Sequence, residues 1–194
     1  MPRIIVISGA NGAGKSTLAP YLLRDAFKIT EYINADTIAL GLSAFAPEHA
    51  ALAAGRVMLK RMRELGADGK DFAFETTLAS RTYASWLRRL QAHGYAINLI
   101  FLWLKDSNLA VARVNERVKA GGHNLPEAVI RKRYGKGLRN LFELYQPFVD
   151  SWVVYDCSDA DNLLLVASKD NQKEIQIFEA QIWEQIKATT SRST

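Results

Sequence analysis

Cysteine is almost missing from this chain. Cys157 is the only one in 194 residues, and histidine occurs three times. A lone thiol cannot close an internal disulfide, so the fold has to rest on packing, and a reducing compartment is expected. No grouping of His and Cys has the spacing of a metal centre. No nucleophile elbow is present, which argues against a Ser/His/Asp hydrolase. Long apolar runs are missing too. The longest, Ala96 to Leu104, contains Asn98 and is far shorter than the roughly 20 residues that span a bilayer. Met1-Pro2-Arg3-Ile4 leads straight into a strand-like run without a signal-peptide pattern, so a cytoplasmic protein with no membrane association is expected. Repeats, low-complexity tracts and linkers are absent, which points to one domain over residues 1–194. Apolar residues make up 48% and charged residues 23%, an ordinary soluble composition at a length that supports a real core. The net charge of +5 suits nucleic acid or a polyanionic small molecule.

What is present is organised around Gly9-Ala10-Asn11-Gly12-Ala13-Gly14-Lys15-Ser16, followed by Thr17. This satisfies Gly-x-x-x-x-Gly-Lys-Ser/Thr in full. A buried-strand run, Ile4 to Ser8, precedes it, and a helical pattern follows, as a phosphate loop requires. The glycines let the backbone turn its amides inward toward phosphate oxygens. The helix N-terminus adds unsatisfied N–H donors. Lys15 reaches the outer phosphates and Ser16 is the Mg²⁺ ligand such a loop provides. Residues 9–17 are therefore the candidate ATP-binding segment.

Strands and helices then alternate. Strands are expected at Ile4–Ser8, Tyr32–Asn34, Phe72–Phe74, Ala96–Leu104 and Trp152–Tyr155. Helices are expected from about Lys15 to Arg24, Pro47 to Leu65, Tyr83 to His93, Asn108 to Ala120, Pro126 to Tyr145 and Ala180 to Ala188. In the second of these, Leu52, Val57, Leu59, Met62 and Leu65 are the expected apolar positions. Leu163–Ala167 and Glu174–Phe178 suit a hairpin around Asp170-Asn171. The pattern predicts a three-layer α/β domain around a mostly parallel sheet. Ligands in such sheets bind beyond the carboxyl ends of the strands.

Two strand ends carry carboxylates, Asp36 after the second strand and Glu75 after the third. A phosphoryl transferase needs a group that orients or deprotonates the acceptor hydroxyl, and groups that hold Mg²⁺. Asp36 is the candidate base, or else it only caps a helix starting near Thr37. Glu75, Thr77 and Arg81 are candidate acceptor-binding residues, and Glu75 also suits a metal contact through water. Farther on, Arg113 to Arg139 holds Arg113, Arg117, Lys119, Arg131, Lys132, Arg133, Lys136 and Arg139 against Glu116 and Glu127. Arg113 and Arg117 share a helix face. With the Gly121-Gly122 break, this stretch (about 108–140) reads as a mobile helical lid carrying guanidinium groups to phosphate, or as a solvated basic face. Tyr134, Phe142 and Tyr145 fall at core spacing rather than as a base-stacking platform, which disfavours nucleic acid.

Together, the phosphate loop, Asn34-Ala35-Asp36, Phe74-Glu75-Thr76-Thr77-Leu78, the run Arg117 to Pro126 and Ile130-Arg131-Lys132-Arg133-Tyr134 resemble the zeta-toxin family of P-loop kinases, especially its short stand-alone members. The resemblance runs from residue 4 to about 157. It implies a P-loop kinase fold with a helical lid and a C-terminal hairpin. It also implies transfer of phosphate from ATP, with Mg²⁺, to a hydroxyl of UDP-N-acetylglucosamine, and an antitoxin protein as partner. Lys15 and Ser16 match the family's phosphate-loop positions and Asp36 its catalytic base. Glu75 and Thr77 match its acceptor side. Arg117 and one of Arg131 or Arg133 match its phosphate-contacting arginines. The tract from Ala35 to Glu48 is short compared with the toxins proper, and it shapes the acceptor pocket. The alternative reading is a P-loop NTPase switch acting on a protein or nucleic-acid partner.

Overall fold

The computed structural model describes residues 1–122, 124–171 and 173–191. Seven strands form one sheet: β1 (Arg3–Gly9), β2 (Tyr32–Ile33), β3 (Phe72–Thr76), β4 (Ala96–Trp103), β5 (Ser151–Asp156), β6 (Leu164–Asp170) and β7 (Gln176–Ile177). Their spatial order is β2-β3-β1-β4-β5-β6-β7. The first five in that order run parallel, and β6 and β7 return antiparallel as the hairpin expected from the sequence.

Alternation along β1 explains the two-sided core. Ile4 and Val6 face one side, and Ile5 and Ile7 face the other. All four are buried, as the central strand of a covered parallel sheet demands. On the Ile4 side pack α3 (Ala51–Ala67), α4 (Thr82–Ala92) and α7 (Ala180–Ser191), through Met58, Met62, Leu87, Trp183 and Ile186. On the Ile5 side pack α1 (Lys15–Pro20) and α5 (Ser107–Lys119), through Ala19, Ala110, Val111 and Val114. Helix α2 (Ala35–Leu42) follows the edge strand β2. After α1, Pro20 has no N–H to give the helical ladder, and the chain continues as a π-helical turn, Tyr21–Phe27.

Two features differ from the sequence reading. The buried positions of α3 are Ala54, Met58, Met62 and Leu65, whereas Leu52 is 71% exposed and Val57 is exposed as well. Helix α3 runs unbroken from Ala51 to Ala67 after a 3₁₀ turn at Pro47–Ala50, and at about 3.6 residues per turn Leu52 and Val57 fall off the stripe formed by Ala54, Met58, Met62 and Leu65. The second difference concerns the basic stretch. Helix α6 (Glu127–Asn140) is bonded into the body of the domain at several points. Ile130 and Tyr134 belong to the core on the Ile5 side, and Leu138 belongs to the core on the Ile4 side. The helix therefore crosses from one face to the other over the carboxyl end of the sheet. Gly137 permits that crossing, because a Cβ there would stand 2.2 Å from the Thr77 carbonyl oxygen. Asn140 donates its amide to the Leu78 carbonyl at 2.6 Å, and the Tyr134 hydroxyl donates to the Leu104 carbonyl at 2.8 Å. These contacts tie α6 to the ends of β3 and β4. His123, within the break between α5 and α6, lies outside the described residues.

Candidate functional site

The site grows from the end of β1. Gly9 lies so close to β4 that a Cβ would stand 2.2 Å from the Leu102 carbonyl oxygen, which pins the start of the loop to the sheet. Gly14 caps α1 in the left-handed region at φ 84°, where a side chain is strained. Ala10 and Ala13 are joined by an amide-to-carbonyl bond of 3.2 Å, and the Thr17 amide turns back to the Gly14 carbonyl. The loop is thus closed by its own backbone, with Gly12 at φ 82° inside it. Asn11 is buried, and its Oδ1 has no hydrogen-bond partner among the described residues.

Lys15 is 8% exposed. Its Nζ donates to the Ala10 carbonyl at 2.8 Å. Burial pushes its ammonium below the ordinary lysine value. The Glu75 and Asp36 carboxylates oppose that shift, while the Arg117 and Arg133 guanidinium groups add to it. Five charged side chains from α1, β3, α2, α5 and α6 therefore share one electrostatic field. Arg133 reaches it because α6 crosses over the sheet edge. Arg131, two residues earlier, is directed elsewhere: its Nε donates to Glu127 at 2.8 Å and its Nη1 to the Ser107 hydroxyl at 2.9 Å. Arg113 is also committed, donating to the carbonyls of Cys157 and Ser158 at 2.7 and 3.0 Å.

Glu75 lies within β3, at the register of Ile7 on β1, one strand away from the phosphate loop. Its Oε2 accepts from the Ser16 hydroxyl at 2.8 Å, the Asn34 amide at 2.6 Å and the Tyr32 hydroxyl. Burial and the Glu75 carboxylate push the Tyr32 hydroxyl well above the ordinary tyrosine value, so it remains a donor at neutral pH. Asn34 Nδ2 also lies 3.2 Å from Ser16 Oγ. Its Oδ1 caps α2, accepting from the amides of Asp36 and Thr37 at 2.8 and 3.2 Å. The helix thus starts at Ala35, with Asn34 as its cap, rather than near Thr37 with Asp36 as cap. Asp36 stands exposed in the first turn, where a carboxylate favours the helix dipole. Thr77 meets α6 through its carbonyl at Gly137. Arg81 is exposed at the start of α4 and makes no hydrogen bond or ion pair among the described residues.

Tyr32 and Asn34 were not singled out as site residues from the sequence. The signal available was the favoured helix cap Asn immediately before Ala35-Asp36 at the end of an edge strand. The Tyr32 hydroxyl gave no such cue, because its partner lies 43 positions away.

The donor set fits a nucleotide with Mg²⁺. Ser16 Oγ and a Glu75 carboxylate lie 2.8 Å apart at the helix N-terminus. Mg²⁺ in phosphoryl-transfer sites is held by few protein oxygens, with phosphates and waters supplying the rest. Among the described residues there is no group of three or more His, Cys, Asp or Glu that could hold a metal by itself. No described helix is long and apolar enough to cross a membrane.

An uncharacterized protein of Haemophilus influenzae is 29% identical over 132 residues, covering 68% of this chain and 92% of the relative. Among solved structures, AvrRxo1-ORF1:AvrRxo1-ORF2 with ATP matches at a TM-score of 0.75 and 14% identity. That match covers 96% of this chain but 63% of the other, so this chain spans less than two thirds of that one. A structure from the PezAT chromosomal toxin–antitoxin system of Streptococcus pneumoniae matches at a TM-score of 0.66 and 16% identity, covering 100% and 87% of the two chains. At these identities the structures establish the shared fold alone, an α/β fold around a mostly parallel sheet. The AAA domain family model matches residues 4–134, about two thirds of the chain, from β1 through the Tyr134 that ties α6 to β4. This chain belongs to the AAA domain family.

Proposed function

We propose that this protein is a kinase that transfers the γ-phosphoryl group of ATP to a hydroxyl of a small molecule, with Mg²⁺. The observation that carries this reading is the mouth of the phosphate loop, where Ser16 Oγ donates to Glu75 Oε2 at 2.8 Å beside the buried Lys15, with Asp36, Arg117 and Arg133 close enough to act on the lysine's charge. A phosphoryl transferase uses such groups, because charge spreads over the transferring oxygens and an acceptor proton has to leave.

Each residue has a role in this proposal. The loop amides and Lys15 hold the outer phosphates. Arg117 and Arg133 face the negative charge that builds up during transfer. Ser16 and, through water, Glu75 hold Mg²⁺, which when bound neutralises phosphate charge. Asp36 accepts the acceptor's hydroxyl proton as the new O–P bond forms and the bond to ADP breaks. Arg131 takes no part, since its guanidinium is spent on Glu127 and Ser107.

The leading acceptor is a UDP-amino-sugar such as UDP-N-acetylglucosamine, in the cytoplasm, with an antitoxin protein as partner. This finer reading is supported by the zeta-toxin-like residues at Asn34-Ala35-Asp36 and Glu75-Thr76-Thr77. The likeness in fold to a structure from a toxin–antitoxin system supports it further. The test is label transfer from γ-labelled ATP, first to UDP-N-acetylglucosamine and then to a metabolite pool. Wild type should label an acceptor, and Lys15→Ala should label none. Hydrolysis without transfer to any acceptor would overturn the kinase reading.

A further inference from the structure

We infer that Asn34 is a positioning residue that sets the metal-side hydroxyl, the acceptor-side carboxylate and the helix bearing Asp36 in one register. The inference rests on the kinase reading and assigns a part to a side chain outside the expected site. The geometry is specific. Asn34 is 7% exposed, and both ends of its amide are occupied. Oδ1 accepts from the Asp36 and Thr37 amides at 2.8 and 3.2 Å. Nδ2 donates to Glu75 Oε2 at 2.6 Å and lies 3.2 Å from Ser16 Oγ. The orientation of the amide is dictated by its neighbours, since backbone N–H groups need an oxygen and a carboxylate needs a donor.

No other residue type does both jobs at this size. Asp supplies the cap but puts a second carboxylate against Glu75. Ser supplies the cap, but its single, shorter hydroxyl has no second polar atom to reach Glu75 while Oγ caps the helix. Helix capping alone thus accounts for Oδ1 and leaves Nδ2 unexplained. Tyr32 backs the arrangement by donating to the same Glu75 oxygen. With Tyr32, Asn34 and Ser16 all donating to Oε2, the carboxylate is held in one orientation beside Ser16. Asp36 follows two residues after Asn34 in the helix that the same side chain begins.

The test uses Asn34→Ser, which keeps a cap, and Tyr32→Phe, which leaves the cap untouched. Three quantities are measured: Tm, the affinity for a non-hydrolysable ATP analogue with and without Mg²⁺, and the transfer rate. In wild type Mg²⁺ should strengthen analogue binding. In Asn34→Ser that strengthening should shrink by about 10–100-fold, and kcat should fall by a similar factor, as for loss of a group that orients a metal ligand. Tm and Mg²⁺-free affinity should stay close to wild type. Tyr32→Phe should show the same pattern more weakly. An unchanged Mg²⁺ effect in Asn34→Ser overturns the inference and leaves the kinase reading standing. So does a loss of Tm that accounts for the whole loss of activity, because it assigns Asn34 to capping alone. Absence of any nucleotide binding by wild type overturns both.

Discussion

The two sides of the site are built differently. On the nucleotide side the chain is locked to itself and to the sheet: Gly9 presses on β4, Lys15 is buried, and Ala10, Ala13 and Gly14 close the loop through their backbones. On the acceptor side, β2 is two residues long and α2 buries only Ala39. Leu40, Leu42, Phe45 and Leu52 are exposed there. A few polar contacts through Asn34 and Glu75 hold that side in place. In the proposed kinase the packed side serves nucleotide binding, and the lightly packed side would set the choice of acceptor.

The strongest way to sharpen that contrast is at the guanidinium groups. Arg117→Ala and Arg133→Ala should each lower kcat by about 10³-fold, with little change in ATP affinity. Arg131→Ala should leave kcat near wild type, since it loses an exposed i,i+4 pair with Glu127 and a bond to the Ser107 hydroxyl, both away from Lys15. Steady-state kinetics on the three variants decide this. Equal activity in all three returns the stretch to a solvated basic face.

A smaller effect is expected where α6 passes over the sheet. Gly137→Ala places a methyl against the Thr77 carbonyl, and neither partner is a flexible side chain. Overpacking of this kind costs about 1–3 kcal/mol. Urea unfolding should report it as a lower midpoint at unchanged slope. An unchanged midpoint would mean that α6 yields easily there, as a hinged lid would.

The smallest effect belongs to the acceptor side. Leu52→Ser should change stability by no more than about 0.5 kcal/mol, since Leu52 is 71% exposed. A larger loss in urea unfolding would mean that Leu52 is covered in solution, and the contrast between the two sides would weaken.

Much of this was legible in the sequence, for physical reasons that differ by region. The phosphate loop is contiguous, and its glycines are required by local backbone geometry, so nine consecutive residues announce it. The parallel sheet was legible because its strands are continuous apolar runs. The phase of α3 was not, because Leu52 and Val57 are as apolar as Met58 and yet lie off the buried stripe of Ala54, Met58, Met62 and Leu65. The role of α6 was hidden because charge dominates its composition, whereas Gly137 and Asn140 fix it through contacts 60 and 62 positions away. The Tyr32–Asn34–Glu75–Ser16 cluster joins three separate elements, and only the pairing of β3 with both β2 and β1 brings them together.

The central claim is that Asp36 serves transfer rather than the helix, and Asp36→Asn tests it most directly. The swap keeps the shape of the side chain, and the α2 cap belongs to Asn34, so the fold has no stake in the carboxylate beyond the dipole. Tm, nucleotide affinity and the rate of label transfer from γ-labelled ATP should be measured on the one variant. The account predicts a Tm and a nucleotide affinity near wild type, with transfer lowered by about 10²–10⁴-fold. A variant that transfers phosphate at the wild-type rate would contradict it.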